Sequence, residues 1–179
     1  MKKLFLIALS QIIFIGIATG QGTPPKAVLS DIPTQESMNA WKSKEQDRIE
    51  KYNKVCANEA YKLYFAKTPC FVGELTLQHL ADNSYVTPAE KNVLLVVDNE
   101  LLAQSKISAD NFRENVKPAS LGAALAMSRM KARADGQENL INLYNGKITW
   151  GGYNTQRKAL AASSRADYEK IVKDNAPQR

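Results

Sequence analysis

Residue types that do covalent or metal chemistry are scarce in this chain: its 179 residues include two cysteines, Cys56 and Cys70, and one histidine, His79. Zinc sites take three or four nitrogen and sulfur ligands, so neither a metal site nor a cofactor is expected. Gly-Lys-Ser/Thr, Gly-x-Ser-x-Gly and His-Glu-x-x-His do not occur, which removes the phosphate-loop, serine-hydrolase and zincin classes. Asp82-Asn83-Ser84 opens like a calcium loop, but it lacks Gly at the sixth place and has Glu at the ninth rather than the twelfth. Among 18 acidic residues, Glu59 and Glu74 are a conceivable pair for glycoside hydrolysis, which needs two carboxylates at a set separation. Acidic residues mostly lie exposed, so both are read as surface charges, and no catalytic residue is nominated.

The cysteines have two possible chemistries. One is a disulfide; the other is a reactive thiol with His79 as its base. An exported chain with two cysteines oxidises them as a rule, which favours the disulfide Cys56–Cys70. Geometry then constrains the element that carries Cys56. From Cys56 to Tyr64 a helix climbs roughly 12 Å, and the six residues on to Cys70 reach at most about 20 Å. A Cα separation of about 5.5 Å is attainable only if the helix stops near Tyr64 to Ala66 and the chain folds back.

That helix is the proposed centre of the fold. Met38, Trp41, Ile49, Tyr52, Cys56, Ala60, Leu63 and Tyr64 recur at helical spacing, and Lys and Glu fill most of the opposite face. After Cys70, Leu75, Leu77 and Leu80 mark a short helix. Val86-Thr87-Pro88-Ala89-Glu90 is a complete helix start, with Thr as cap, Pro at the first position and Glu to close the box. The helix it opens is expected to end near Gln104. Lys106-Ile107-Ser108 and Lys147-Ile148-Thr149 repeat that entry, each with an aromatic residue, Phe112 or Tyr153, five places after the isoleucine. Pro118 separates the next helix, Ala119 to Ala134, in which Lys131 and Arg133 suit a last turn and Asp135-Gly136 a stop. A short helix over Gln137–Tyr144 and a final one through Val172 complete an all-α, single compact domain of about six or seven helices organised on one long N-terminal amphipathic helix.

Tyr144 to Asn154 is the most unusual stretch in composition. Gly151 and Gly152 weaken the helix that Thr149 starts by about 1 kcal/mol each relative to Ala, so something else must favour them. Tyr144, Trp150, Gly151, Gly152 and Tyr153 are therefore the candidate binding patch, aromatic side chains with polar tips suiting such a surface. Core packing of Trp150, with the glycine pair allowing close helix approach, is the competing and favoured account.

Lys2 and Lys3, an apolar run from Leu4 to Ile17 and small residues at Ala18-Thr19-Gly20 have the form of a signal peptide over residues 1–20. Cleavage near Gly20 would leave a Pro-rich tether over 21–34, a helical domain over 35–174 and a frayed tail over 175–179. The apolar run is short of the about 20 residues of a membrane span, so no stable membrane insertion is expected after cleavage; an uncleaved anchor is the alternative.

Without Lys2 and Lys3 the chain carries 22 basic and 18 acidic residues, formally +4. Residues 68–116 are net −4 and residues 117–179 net +6. Such asymmetry can mark a surface for a protein or an anionic envelope polymer, or simple complementarity within the fold. The basic residues alternate with alanines rather than aromatics, so no nucleic acid is expected as partner. Together these features point to a periplasmic or secreted non-enzymatic protein of a bacterial-type envelope that binds a macromolecular partner. The alternatives are a glycan- or peptide-acting envelope enzyme and a chaperone-like stress protein with an apolar groove.

Overall fold

The structure is a computed structural model and describes residues 33–175. The signal-peptide expectation and residues 21–32 of the tether lie outside these residues, as do residues 176–179 of the tail. Six α-helices follow one another, and no strand occurs among the described residues: α1 Gln35–Cys56, α2 Lys62–Phe65, α3 Leu77–Leu80, α4 Pro88–Asn115, α5 Ala119–Tyr144 and α6 Trp150–Asp174. The long helices pack in the order α1, α4, α5, α6, each against the next, while α2 leans on α4 and α3 on α6.

Local capping explains most of the boundaries. Thr34 and Ser37 form a reciprocal box that opens α1. Thr87 and Glu90 do the same for α4, with Pro88 at the first position as expected. The Thr149 hydroxyl accepts from the Gly152 amide to start α6. Thr76 and His79 box the single turn of α3, which gives the histidine ring a local structural partner rather than a thiol.

The amphipathic stripe does not run unbroken past Cys56. Asn58 accepts from the Ala60 amide and opens a separate 3-10 turn, Glu59–Tyr61, which continues into α2. An Asn side chain offers the backbone this alternative to continuing a helix. Helix α2 then ends at Phe65 with Ala66 as its cap, within the span that disulfide closure requires, and Cys56 and Cys70 are bonded with Cα atoms 5.7 Å apart. Opening that link in a Cys56→Ser/Cys70→Ser protein is expected to cost about 3 kcal/mol on the chain-entropy estimate for a loop of this size. Chemical denaturation of the oxidised and double-Ser forms checks it, and coincident midpoints would refute it.

Two expected breaks are absent. Gln104 to Ser108 forms no turn: α4 passes straight through it, because Gln104, Ser105, Ser108 and Asn111 are a buried polar face. The Ser105 hydroxyl is satisfied by the Leu101 carbonyl, and Asn111 Nδ2 donates across to the Trp41 carbonyl on α1. Likewise Asp135-Gly136 lies within α5. Its Asp135 carboxylate pairs with Lys131 one turn earlier, and the left-handed glycine is Gly146 instead, at φ +67°. Lys131 and Arg133 are thus mid-helix residues, and the helix-end reason for their charge does not apply.

Nor does α1 organise the interior. The buried cluster is Tyr64, Val86, Leu94, Val97, Leu140, Leu143, Trp150 and Tyr153, whereas Val55 is the sole buried residue of α1. Lys and Glu occupy too much of α1's circumference for a wide apolar stripe, so it lies against α4 as an outer helix.

Candidate functional site

The aromatic stretch nominated from composition is interior. Trp150 is fully buried and Tyr153 nearly so, and Trp150 packs edge to face against Tyr64 and Tyr153 with ring centroids 5.9 and 6.0 Å away. Gly151 is also buried, donating its amide to the Asp82 carbonyl at 2.7 Å. Gly152 is half-buried, and Tyr144 carries the Lys91 ammonium over its ring at 4.9 Å. Trp150, Gly151 and Tyr153 thus lie in the core and Tyr144 and Gly152 at its half-buried margin, and of the two glycines only Gly151 stands where a Cβ would strike a neighbouring segment. Glu59 is solvent-exposed and close to Lys62; Glu74 is exposed on the turn Val72–Glu74. Burial alone would push the Asp82 carboxyl up, but Ser84 and Lys67 outweigh it and hold it below its usual range, so the stretch that resembled a calcium loop is neutralised by a lysine. No cluster of three or more metal-ligating side chains occurs among the described residues.

A cleft of about 490 Å³ is built from several helices together. Its floor is one face of α5, with Arg129, Ala132, Arg133, Gly136 and Asn139. One wall is α4, with Asp98 and Leu101; the other is α6, with Arg157, Leu160 and Ser164. Tyr52 and Tyr64 close one end. Space exists because Ala132, Gly136, Ala161 and Ser164 are small, and a Cβ added at Gly136 would meet no atom within 4 Å.

The charges in this cleft are unequally served. Arg157 is engaged three times: Nη1 donates to Thr68 Oγ1 at 2.6 Å and the Pro69 carbonyl at 2.7 Å, and Nη2 to the Cys70 carbonyl at 2.8 Å. Tyr52 also donates to the Cys70 carbonyl, so the disulfide loop is fixed to the cleft rim. Arg133 pairs through Nη2 with Asp98, the one acidic residue of the lining. Glu45, on the α1 side, is taken by Arg48. Arg129 makes no side-chain hydrogen bond among the described residues, and its Nε is buried without a partner. Burial draws the Arg129 guanidinium below its ordinary range and the Arg48 cation draws it further; Tyr52 and Glu45 oppose this, and Arg133 adds the smallest lowering effect. It still holds its proton, since arginine stays charged in proteins. Arg133 Nε and Asn139 Oδ1 are likewise buried and unmatched. Most buried polar atoms have partners, so three such atoms on one face of α5 are an unmet hydrogen-bonding demand beside surplus positive charge.

Arg129 and Arg133, four residues apart on an Ala-rich stretch, are the signal of this site that the sequence contains. Their partners are not assignable without knowing where Glu45 and Asp98 fall.

At the inner end of the cleft the Tyr64 and Tyr153 hydroxyls share a hydrogen bond of 3.1 Å. Burial pushes the Tyr64 phenol well up, and burial likewise raises Tyr153. The unfolded chain therefore releases these protons first, near the ordinary value of about 10. Stability they confer is complete below that pH and declines as the pH rises toward the folded-state values, by about 1.4 kcal/mol per pH unit for each tyrosine. Guanidinium unfolding between about pH 9 and 11, bracketing that ordinary value, checks this, the decline being shallower in Tyr64→Phe/Tyr153→Phe; an equal slope in both proteins would exclude it.

Comparison of the chain with protein-family models, with curated proteins and with solved structures finds no match in any of the three. Among the described residues, no helix is long and apolar enough to cross a membrane.

Proposed function

We propose that this is an exported, non-enzymatic helical protein of a bacterial-type envelope, and that it binds a macromolecular partner in the cleft between α4, α5 and α6. The observation that carries this reading is Arg129, a charged side chain whose Nε is buried without an acceptor in a cleft open to solvent. Desolvating an arginine without pairing it costs stability, and a bound partner that supplies the acceptor recovers that cost. The N-terminal sequence and the Cys56–Cys70 link support an oxidising compartment, where disulfides persist. Catalysis has less support, because Asp98, the lining's carboxylate, is committed to Arg133.

Gly136→Trp tests the reading, since the indole enters the cleft without changing its charge. The immobilised parent protein is expected to retain an envelope component that the blocked variant, G136W, releases at least about tenfold more readily, a difference of about 1.4 kcal/mol. Equal retention by both proteins rejects the cleft. Turnover of cell-wall material, abolished by a single carboxylate substitution, rejects the non-enzymatic reading.

A second reading rests on its own observation. Leu95 and Ile141 are 49% and 57% exposed and meet beside Tyr144 in a shallow groove between α4 and α5, an apolar surface of the kind a chaperone-like protein would use.

A further inference from the structure

We infer that the cleft recognises an extended acidic segment of a protein partner, with one side-chain carboxylate of that segment docked on the guanidinium of Arg129. The inference rests on the cleft being the binding site, and it adds the chemistry of the occupant.

Three features select this class. First, the unmatched donors are guanidinium Nε–H groups, and a guanidinium edge fits the two oxygens of a carboxylate in its own plane. Arg129 has the whole of its hydrogen-bonding capacity available among the described residues, whereas Arg133 has given Nη2 to Asp98 and keeps Nε. The first is suited to a full negative charge and the second to a neutral carbonyl. Second, the pattern is mixed. Asn139 Oδ1 is a buried acceptor without a donor, while its Nδ2 is occupied by the Tyr153 carbonyl. It requires an N–H or O–H from the occupant, which a bare anion such as sulfate lacks. From Arg129 to Asn139 is about ten residues of α5, about 15 Å of rise, or about four to five residues of extended peptide at about 3.3 Å each. Gly136 lies between the two and leaves the helix backbone bare there, so a second backbone has room to lie close. Third, Leu101, Leu140 and Leu160 share the lining with these polar atoms. Apolar side chains alternating with acidic ones match that mixture of leucines and arginines.

The test uses the full chain with its disulfide intact and three fluorescent probes: an end-blocked hexapeptide alternating Leu and Glu, the same peptide with Gln for Glu, and a uronic-acid hexamer. Anisotropy titrations are expected to show saturable binding of the Leu-Glu peptide, with the Gln peptide at least about tenfold weaker, the loss of one charge-assisted hydrogen bond. Arg129→Gln is expected to weaken the Glu peptide by about the same factor and leave the Gln peptide unchanged. Arg129→Lys retains the charge but lacks the planar fork, and is expected to resemble Arg129→Gln. Equal affinity for the Glu and Gln peptides overturns the inference without requiring any variant to fold. So do unchanged binding by Arg129→Gln, full binding by Arg129→Lys, absence of saturable peptide binding, and preference for the uronic-acid hexamer, which would mark the site as one for anionic glycan. If the peptides fail but G136W still releases the envelope component, the binding function stands and the acidic-segment inference falls. If G136W retains that component as the parent does, the proposed site itself is wrong.

Discussion

Asn154→Ala is expected to lower stability by about 4 kcal/mol and the melting temperature by on the order of 10 °C. Asn154 is fully buried on the first turns of α6 and is a three-way link. Its Nδ2 donates to the Lys67 carbonyl at 2.9 Å and the His79 carbonyl at 3.0 Å, and its Oδ1 accepts from the Thr68 hydroxyl at 2.6 Å. Thr68 is itself fully buried. Truncation leaves two part-buried carbonyls without their donors, and each such loss costs about 1–3 kcal/mol; the vacated amide adds a cavity. Asn83→Ala, at an exposed position, is the control and is expected to change stability by less than about 0.5 kcal/mol. Thermal and guanidinium unfolding read both. If Asn154→Ala loses no more than the control, the network holds nothing together.

Gly151→Ala is expected to cost about 3–5 kcal/mol, against the usual direction for a helical glycine, where Ala gains about 1 kcal/mol. A Cβ at this position would stand 2.5 Å from the Leu80 carbonyl oxygen and 2.8 Å from that of Asp82. Both atoms are backbone, so no rotamer change relieves the contact. The loop must move, and with it go the bonds from the Gly151 amide to Asp82 and from the Trp150 amide to Ser84, 2.7 and 3.0 Å. Overpacking of this kind typically costs about 1–3 kcal/mol, and the lost hydrogen bonds add about 1 kcal/mol each. The neighbouring glycine supplies the contrast: a Cβ at Gly152 meets only side-chain atoms, at 3.5 Å, so Gly152→Ala is expected to be neutral or stabilising. Calorimetry of the two variants decides the matter. Equal melting temperatures would mean that the close approach of α6 to the 80–82 loop does not govern its start.

Features set by residues close in sequence are the readable ones. Thr87-Pro88-Ala89-Glu90 declares a helix start through its own hydrogen bonds, and the Cys56–Cys70 closure follows from reach alone. The misreadings have two causes. Gln104, Ser105 and Ser108 resemble a turn until α1 and α5 cover them, which is tertiary burial of polar residues. The other two are local: Asp135 is engaged on the helix surface by Lys131 four residues earlier, and Asn58 moves the end of α1 from the mid-60s to Cys56. The cleft is beyond reading because no single element contains it. Arg129 and Arg133 are visible as a pair one turn apart, but what distinguishes them is which carboxylates arrive from α1 and α4, and that is fixed only when the chain is folded.

All four buried residues of α6, Trp150, Gly151, Tyr153 and Asn154, lie in its first five positions, although the helix continues to Asp174. It is a rod clamped at its root. Free energies of local opening follow buried contact, so they descend along α6 from Trp150 toward Asp174. Leu160 and Ser164, which wall the cleft, sit partway down that gradient, so this wall opens at a lower free energy than the helix root that anchors it.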